Sequence, residues 1–274
     1  MKRTSHMAKE GKTGVDSDRY QRGVAVLQQI GGENFDNPVD ELQDIAPDLG
    51  RFAVEFVFGD VLRRRGLDLK SRQLCAVAAL AAMGTAQPQL RFDINGARNV
   101  GATPEEVVEV IILAAVYAGF PAALNGISAA RDVFGQRGDV PRVANRLEGR
   151  RPGEDRYARG MSVLDRTSRG AGAAVVESLR DIAPDLGRFV VEFSYGDVIG
   201  RPTLDEKTTE LAAVAMCTAL GKDQAQLAVH IDAALNVGAS REEVVEVIQQ
   251  MAAYAGFPAA LNGISVARKV FGSH

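Results

Sequence analysis

The sequence predicts an all-α protein made of two tandem copies of one domain of roughly six helices, and three observations carry that expectation. Residues 45–52 (IAPDLGRF) return as 182–189, and residues 117–128 (YAGFPAALNGIS) return as 254–265. Both repeats, and the pair Tyr20/Tyr157, are separated by 137 residues, so no net insertion divides the copies. Apolar residues recur at helical spacing, while no run alternates in the manner of a strand between turn residues. Glycine, proline and capping residues then punctuate each copy at matching places.

Taken in order, residues 1–19 read as a tail whose first seven residues, MKRTSHM, look like an expression-vector scar with Met7 as the natural start. The first domain spans 20–135, a Gly/Pro/Arg-rich linker 136–155, and the second domain 156–274. In the first copy, Pro38 and the Val39/Leu42/Ile45 spacing start a short helix that Pro47 interrupts. Asp48 is then expected to cap a helix over 49–61, with Phe52, Phe56 and Phe58 among its apolar residues. Asp60, and Asp197 in the other copy, end that helix and are read as capping the next turn or binding Lys70 and Lys207. Asp68 opens a helix through Leu74, Val77, Ala78 and Ala81 that stops at Gly84. Its small residues allow backbones to approach closely and point to a partner copy packed on it. A helix over 89–100 ends at Gly101. Thr103, Pro104 and Glu106 make a capping box with proline at the first helical position, and Ser240 and Glu243 repeat the box without the proline. That helix runs to Gly119, and Pro121 begins the last, which closes near Phe134.

Composition narrows the function classes. With 46% apolar and 24% charged residues the chain can bury a sizeable core. A net charge of −3, from 32 basic and 35 acidic residues spread along the chain, offers no electropositive face for nucleic acid. Cys75 and Cys217 form neither a Cys-x-x-Cys pair nor part of a zinc motif; they read as small buried hydrophobes in a reducing cytoplasm. No apolar run reaches the roughly 20 residues that span a bilayer, so no membrane partner is expected.

The stretch richest in chemistry is 208–238. It holds His230, the one histidine within the body of the chain, and Glu210, on two helical patterns separated by Gly221, Lys222 and Asp223. A carboxylate beside an imidazole fixes its tautomer and makes an acid/base pair that works near neutrality. The residues themselves leave two readings of each: His230 as catalyst or hydrogen-bonded core residue, Glu210 as its partner or as a helix-start carboxylate favoured by the dipole. Arg51 and Arg188 each precede a glutamate, Glu55 and Glu192, by four positions, which gives either an intrahelical ion pair or a guanidinium available to a substrate carboxylate or enolate oxygen. Tyr117/Tyr254 and Asn125/Asn262 place polar tips beside a Gly-Phe-Pro corner, where Asn serves the backbone or a ligand.

Several of these stretches occur together in one order: 183–197 (APDLGRFVVEFSYGD), 207–211 (KTTEL), 230–238 (HIDAALNVG), 243–248 (EVVEVI) and 254–262 (YAGFPAALN). They resemble the carboxymuconolactone decarboxylase family, within a superfamily that includes alkyl hydroperoxidase D-like thiol proteins, over almost the whole of both copies. The resemblance implies an all-helical fold that oligomerises, here as a trimer of two-domain chains, and an enzyme removing carbon dioxide from a carboxylated unsaturated lactone without metal or organic cofactor. The family's histidine and glutamate match His230 and Glu210; on that reading His230 is expected to transfer the proton, Glu210 to orient it and Arg188 or Arg51 to hold negative charge, with Glu192, Tyr254 and Asn262 as candidates toward the substrate. The thiol branch carries Cys-x-x-Cys where this chain has residues 223–226, DQAQ, which disfavours thiol peroxidase chemistry. The first copy departs further, with Gln73 at the glutamate position and Asp93 at the histidine position, so Asp93 either marks a distinct site or an abandoned one. An isomerase, a hydrolase, a ring-rearranging enzyme or a non-catalytic small-molecule binder on the same fold stays open as the alternative.

Overall fold

The computed structural model describes residues 18–32, 37–139, 141, 155–170, 172–222 and 224–273. The proposed vector scar, most of the linker and Asp223 lie outside them. Among the described residues every regular element is helical. The first repeat contains α1 (Asp18–Gly31), α2 (Pro38–Glu41), α3 (Pro47–Phe52), α4 (Leu69–Met83), α5 (Gln87–Asn99), α6 (Pro104–Tyr117) and α7 (Phe120–Arg137). The second contains α8 (Arg156–Ser168), α9 (Gly172–Glu177), α10 (Pro184–Phe189), α11 (Glu206–Leu220), α12 (Gln224–Asn236), α13 (Arg241–Tyr254) and α14 (Phe257–Ser273).

Most boundaries follow from their caps. Asp68 and Asp205 accept the Ser71 and Thr208 amides at the starts of α4 and α11, and Gly84 and Gly221 end these helices in the left-handed region that favours glycine. Both capping boxes form, at Thr103/Glu106 and Ser240/Glu243. Asp48 is not a cap: α3 starts at Pro47, whose missing N–H suits the first helical turn, and the capping position falls on Ala46. The unanticipated α1 buries Tyr20, Gly23, Val26, Leu27 and Ile30 along one stripe.

Two further differences from the sequence expectation concern the segment after α3. Residues Ala53–Leu62, and their equivalents Val190–Ile199 after α10, are wound as π-helix rather than α-helix. The Gly200 amide accordingly reaches back to the Tyr195 carbonyl. The carbonyls of Val54 and Val191 lie where a methyl on Gly23 or Gly160 would stand, so only glycine admits this approach of α1 and α8. Asp60 and Asp197 do not bind the lysines. Asp60 pairs with Arg19, and Asp197 with Arg156 and Arg159, whereas Lys70 and Lys207 bridge to Glu106 and Glu243 at 2.8 Å.

The partner copy anticipated for the small-residue helix is the other half of the same chain. Helices α4 and α11 lie against each other, and one apolar cluster joins Cys75 and Ala79 to Leu211, Val214 and Ala215. The contacts across this seam come in reciprocal pairs, as a local two-fold relation requires. Arg64 bridges to Glu246 at 2.7 Å and Arg201 to Glu109 at 2.6 Å. Phe56 meets Phe257 and Phe193 meets Phe120, each with ring centroids 5.4 Å apart. One pairing has no counterpart: Arg72 is fully buried, donates to Glu246 at 2.7 Å and is held by Gln250, whose equivalents in the other repeat are Thr209 and Leu113.

Candidate active site

The first turn of α11 is set by Asp205, and the next residues along it, Thr209 and Glu210, point into the protein. Helix α12 runs beside α11 and turns Leu227, His230, Ile231 and Ala234 inward at helical spacing. His230 Nδ1 and Glu210 Oε2 meet at 2.8 Å, with the two residues only 4% and 1% exposed. A buried carboxylate needs a partner of this kind. With Glu210 accepting from Nδ1–H, Nε2 is the ring nitrogen left to exchange a proton.

His230 forms part of the wall of a cavity of about 320 Å³. Val190, Ser194, Tyr195 and Ile199 of the π-helical segment, Cys217 and Leu220 of α11, and Lys222 and Gln226 beyond it line the same space. Val116 and Tyr117 also line it, and these belong to α6 of the first repeat. The Tyr117 ring stands edge-on to the imidazole, with centroids 5.0 Å apart and planes at 79°. Burial, then the nearby Glu210, raises the pKa of Tyr117 and likewise of Tyr195, so both phenols keep their protons. The space is small, mostly apolar and supplied with a buried imidazole, two phenols, a serine, an amide and one ammonium group at Lys222. That combination suits a small, conjugated, oxygen-bearing acid.

The remaining residues singled out in the sequence lie elsewhere. Arg188 is on the surface at the end of α10, where it donates to Glu192 at 2.8 Å; the same pair in the first repeat, Arg51 and Glu55, is 2.9 Å apart. Both are intrahelical ion pairs, and neither arginine is part of the cavity wall. Asn262 is exposed and borders a separate void of about 20 Å³ with Cys217 and Thr218. Tyr254 is across the seam, in the first repeat's version of the site, where its hydroxyl donates to Asp93 Oδ1 at 3.4 Å.

That second locus is chemically different. Burial pushes the Asp93 carboxyl up to about 7, partly offset by the Tyr254 hydroxyl. The Gln73 amide is buried beside it and, like the Tyr254 hydroxyl, tempers that rise. Phe58 stands where the other copy has Tyr195 and packs edge-on to Phe92, and Leu80 replaces Cys217. Sequence reasoning thus paired His230 with Glu210 and noted Tyr117 as a polar tip without placing it beside His230, but missed Tyr195, Ser194, Lys222 and Gln226. The signal available for Tyr195 and Lys222 was their divergence between copies, Phe58 and Thr85 standing at the equivalent positions. Among the described residues no group of three His, Cys, Asp or Glu side chains is arranged to hold a metal ion, and no helix is long and apolar enough to cross a membrane.

Comparison with known proteins agrees with the duplication. The carboxymuconolactone decarboxylase family model matches twice, over residues 47–132 and 184–269. A 4-carboxymuconolactone decarboxylase of Acinetobacter baylyi is 33% identical over 132 residues, which is 48% of this chain and 98% of that protein. An uncharacterized 15.0 kDa protein of Paracoccus denitrificans is 31% identical over 105 residues, 38% of this chain and 77% of its own length. A nitrosuccinic acid decarboxylase of Metarhizium robertsii is 28% identical over 109 residues, 39% of this chain and 76% of its own length.

Proposed function

The chain belongs to the carboxymuconolactone decarboxylase family, and from that premise we propose that it is a carboxy-lyase that acts on a small lactone or other conjugated carbonyl acid by general acid/base catalysis, with no cofactor. The observation that carries this reading is the buried His230–Glu210 pair, 2.8 Å apart, on the wall of a cavity of small-molecule size. The named activities of two relatives, on 4-carboxymuconolactone and nitrosuccinic acid, support the same reaction class.

In the proposed reaction the bond between the carboxylate carbon and the substrate skeleton breaks, and carbon dioxide leaves without its bonding electron pair. Those electrons enter the conjugated carbonyl and give an enolate or dienolate. His230, as the imidazolium held by Glu210, then passes a proton from Nε2 to carbon, and solvent restores it. Glu210 keeps the ring oriented. Holding the substrate's negative charge, which the sequence reading gave to Arg188 or Arg51, passes in this proposal to Lys222, the cation in the cavity wall. Two buried free cysteines suit a reducing cytoplasm. Assembly as a trimer of two-domain chains belongs to the same proposal, through apolar side chains left exposed on both repeats.

The test is kinetic. His230→Ala, with fold and assembly unchanged, is expected to abolish release of carbon dioxide from 4-carboxymuconolactone or nitrosuccinate, and full retention of turnover would remove the assignment. An isomerase or hydrolase on the same site would convert the lactone with no loss of mass as carbon dioxide, which mass spectrometry distinguishes.

A further inference from the structure

The Tyr117 hydroxyl is buried and has no hydrogen-bond partner among the described residues, although the residue lines the cavity beside His230. Leaving a buried phenol unpaired is unfavourable, and a ligand oxygen in the cavity would offset that. The comparison within the chain sharpens the point. Tyr254, one repeat on, has the same corner and the same flanking sequence, but its hydroxyl is engaged by Asp93. Where the first repeat's Asp93 accepts from the second repeat's Tyr254, the second repeat's His230 is turned toward Glu210, and the first repeat's Tyr117 is left with nothing to donate to among the described residues.

We propose that Tyr117, supplied by the first repeat, is a catalytic residue of the second repeat's site and donates its O–H to the oxyanion that develops on the substrate above His230. The inference rests on the decarboxylase reading given above. Loss of carbon dioxide moves an electron pair onto a carbonyl oxygen, and a neutral donor already fixed in place stabilises that charge without reorganising. Such a donor must stay protonated. Burial, and after it the charge of Glu210, keep Tyr117 in its O–H form well beyond neutral pH. The edge-on contact with the imidazole ring places the two groups on one wall, so proton delivery and oxyanion binding address the same substrate from adjacent positions. The site is therefore composite: neither repeat holds both the acid/base pair and this donor.

The experiment uses the full chain with Tyr117→Phe, which keeps the ring against His230 and removes only the hydroxyl. The probe is 4-nitrophenolate, a conjugated oxyanion whose absorbance reports both binding and ionisation. Binding of the phenolate form is expected to weaken about tenfold or more in Tyr117→Phe, the loss of a hydrogen bond to a charged oxygen. The melting temperature should be unchanged or higher, because an unpaired polar group has been removed; a structural hydroxyl would lower it. With a turned-over acid, kcat should fall by about 10²-fold, with KM little changed. Equal phenolate affinity in the two proteins, or no phenolate binding by the wild type, would overturn the proposal. His230→Ala is assayed in parallel. If turnover is lost there while Tyr117→Phe binds and turns over normally, the decarboxylase reading stands and the Tyr117 role falls. If His230→Ala retains turnover, the acid/base reading falls instead.

Discussion

Asp93 and His230 occupy equivalent positions in the two repeats, and their surroundings give them opposite electrostatic tasks. His230 has a carboxylate at 2.8 Å to share its charge. Asp93 has no cation beside it among the described residues, and burial raises its pKa from 3.8 to about 7 against the neutral Tyr254 hydroxyl at 3.4 Å and the Gln73 amide. The sign of the consequence follows from proton linkage. Between about pH 3.8 and 7 the native state holds a proton on Asp93 that the unfolded state has released, so this residue's contribution to stability falls as pH rises through that window and levels off above it. Asp93→Asn removes the titration while keeping an acceptor for Tyr254. Its melting temperature should match the wild type near pH 4 and exceed it increasingly up to about pH 7, as thermal melts across the range would record. A constant difference at all pH values would mean that Asp93 does not titrate in this window.

At the level of single elements, the turn and cap chemistry was legible in the residues, and the helical winding was not. Asp68, Asp205, Thr103 and Ser240 stop or start helices through bonds made within three residues, which the chain order alone specifies. Asp48 misled because Pro47 takes the first helical position itself. The π-helical segments Ala53–Leu62 and Val190–Ile199 depend on what lies against them: a carbonyl of each approaches a glycine of α1 or α8 so closely that no side chain fits between. The second segment carries Val190, Ser194, Tyr195 and Ile199 to the cavity, so its winding positions the wall. Gly160→Ala puts a methyl into the Val191 carbonyl and is expected to destabilise the protein by about 1–3 kcal/mol. It should also reduce 4-nitrophenolate affinity by displacing Tyr195. Denaturant titration and the phenolate assay check the two effects separately, and a variant as stable as the wild type would show that the approach is not tight.

Across the whole molecule, the seam between repeats is the organising feature. Glu246 shows how it is held: burial would raise its carboxyl, but hydrogen bonds from Arg64 and Arg72 outweigh that and hold it below the usual range. The stabilisation is present above the ordinary carboxylate range and is lost as pH falls below it. The same five apolar positions stay exposed in both repeats, Ile45/Ile182, Leu49/Leu186, Phe52/Phe189, Phe120/Phe257 and Leu124/Leu261, each at least 52% accessible, with Phe120 and Phe257 at the edge of the seam. Duplicated apolar patches of this kind are the surfaces through which the proposed trimer would close. Sedimentation equilibrium is expected to return three times the 29.2 kDa chain mass, and a monomer at micromolar concentration would refute the assembly. The amino-acid order by itself determined the helical class and the duplication, because periodicity, caps and a constant offset are written along one chain; it offered the pairing of His230 with Glu210 as one of two readings. Only the tertiary structure decided that Tyr117 rather than Tyr254 stands beside His230 and that Arg188 lies outside the cavity. Sequence patterns report which face of a helix is buried, whereas the exchange of neighbours across a two-fold seam is set by how the two halves pack.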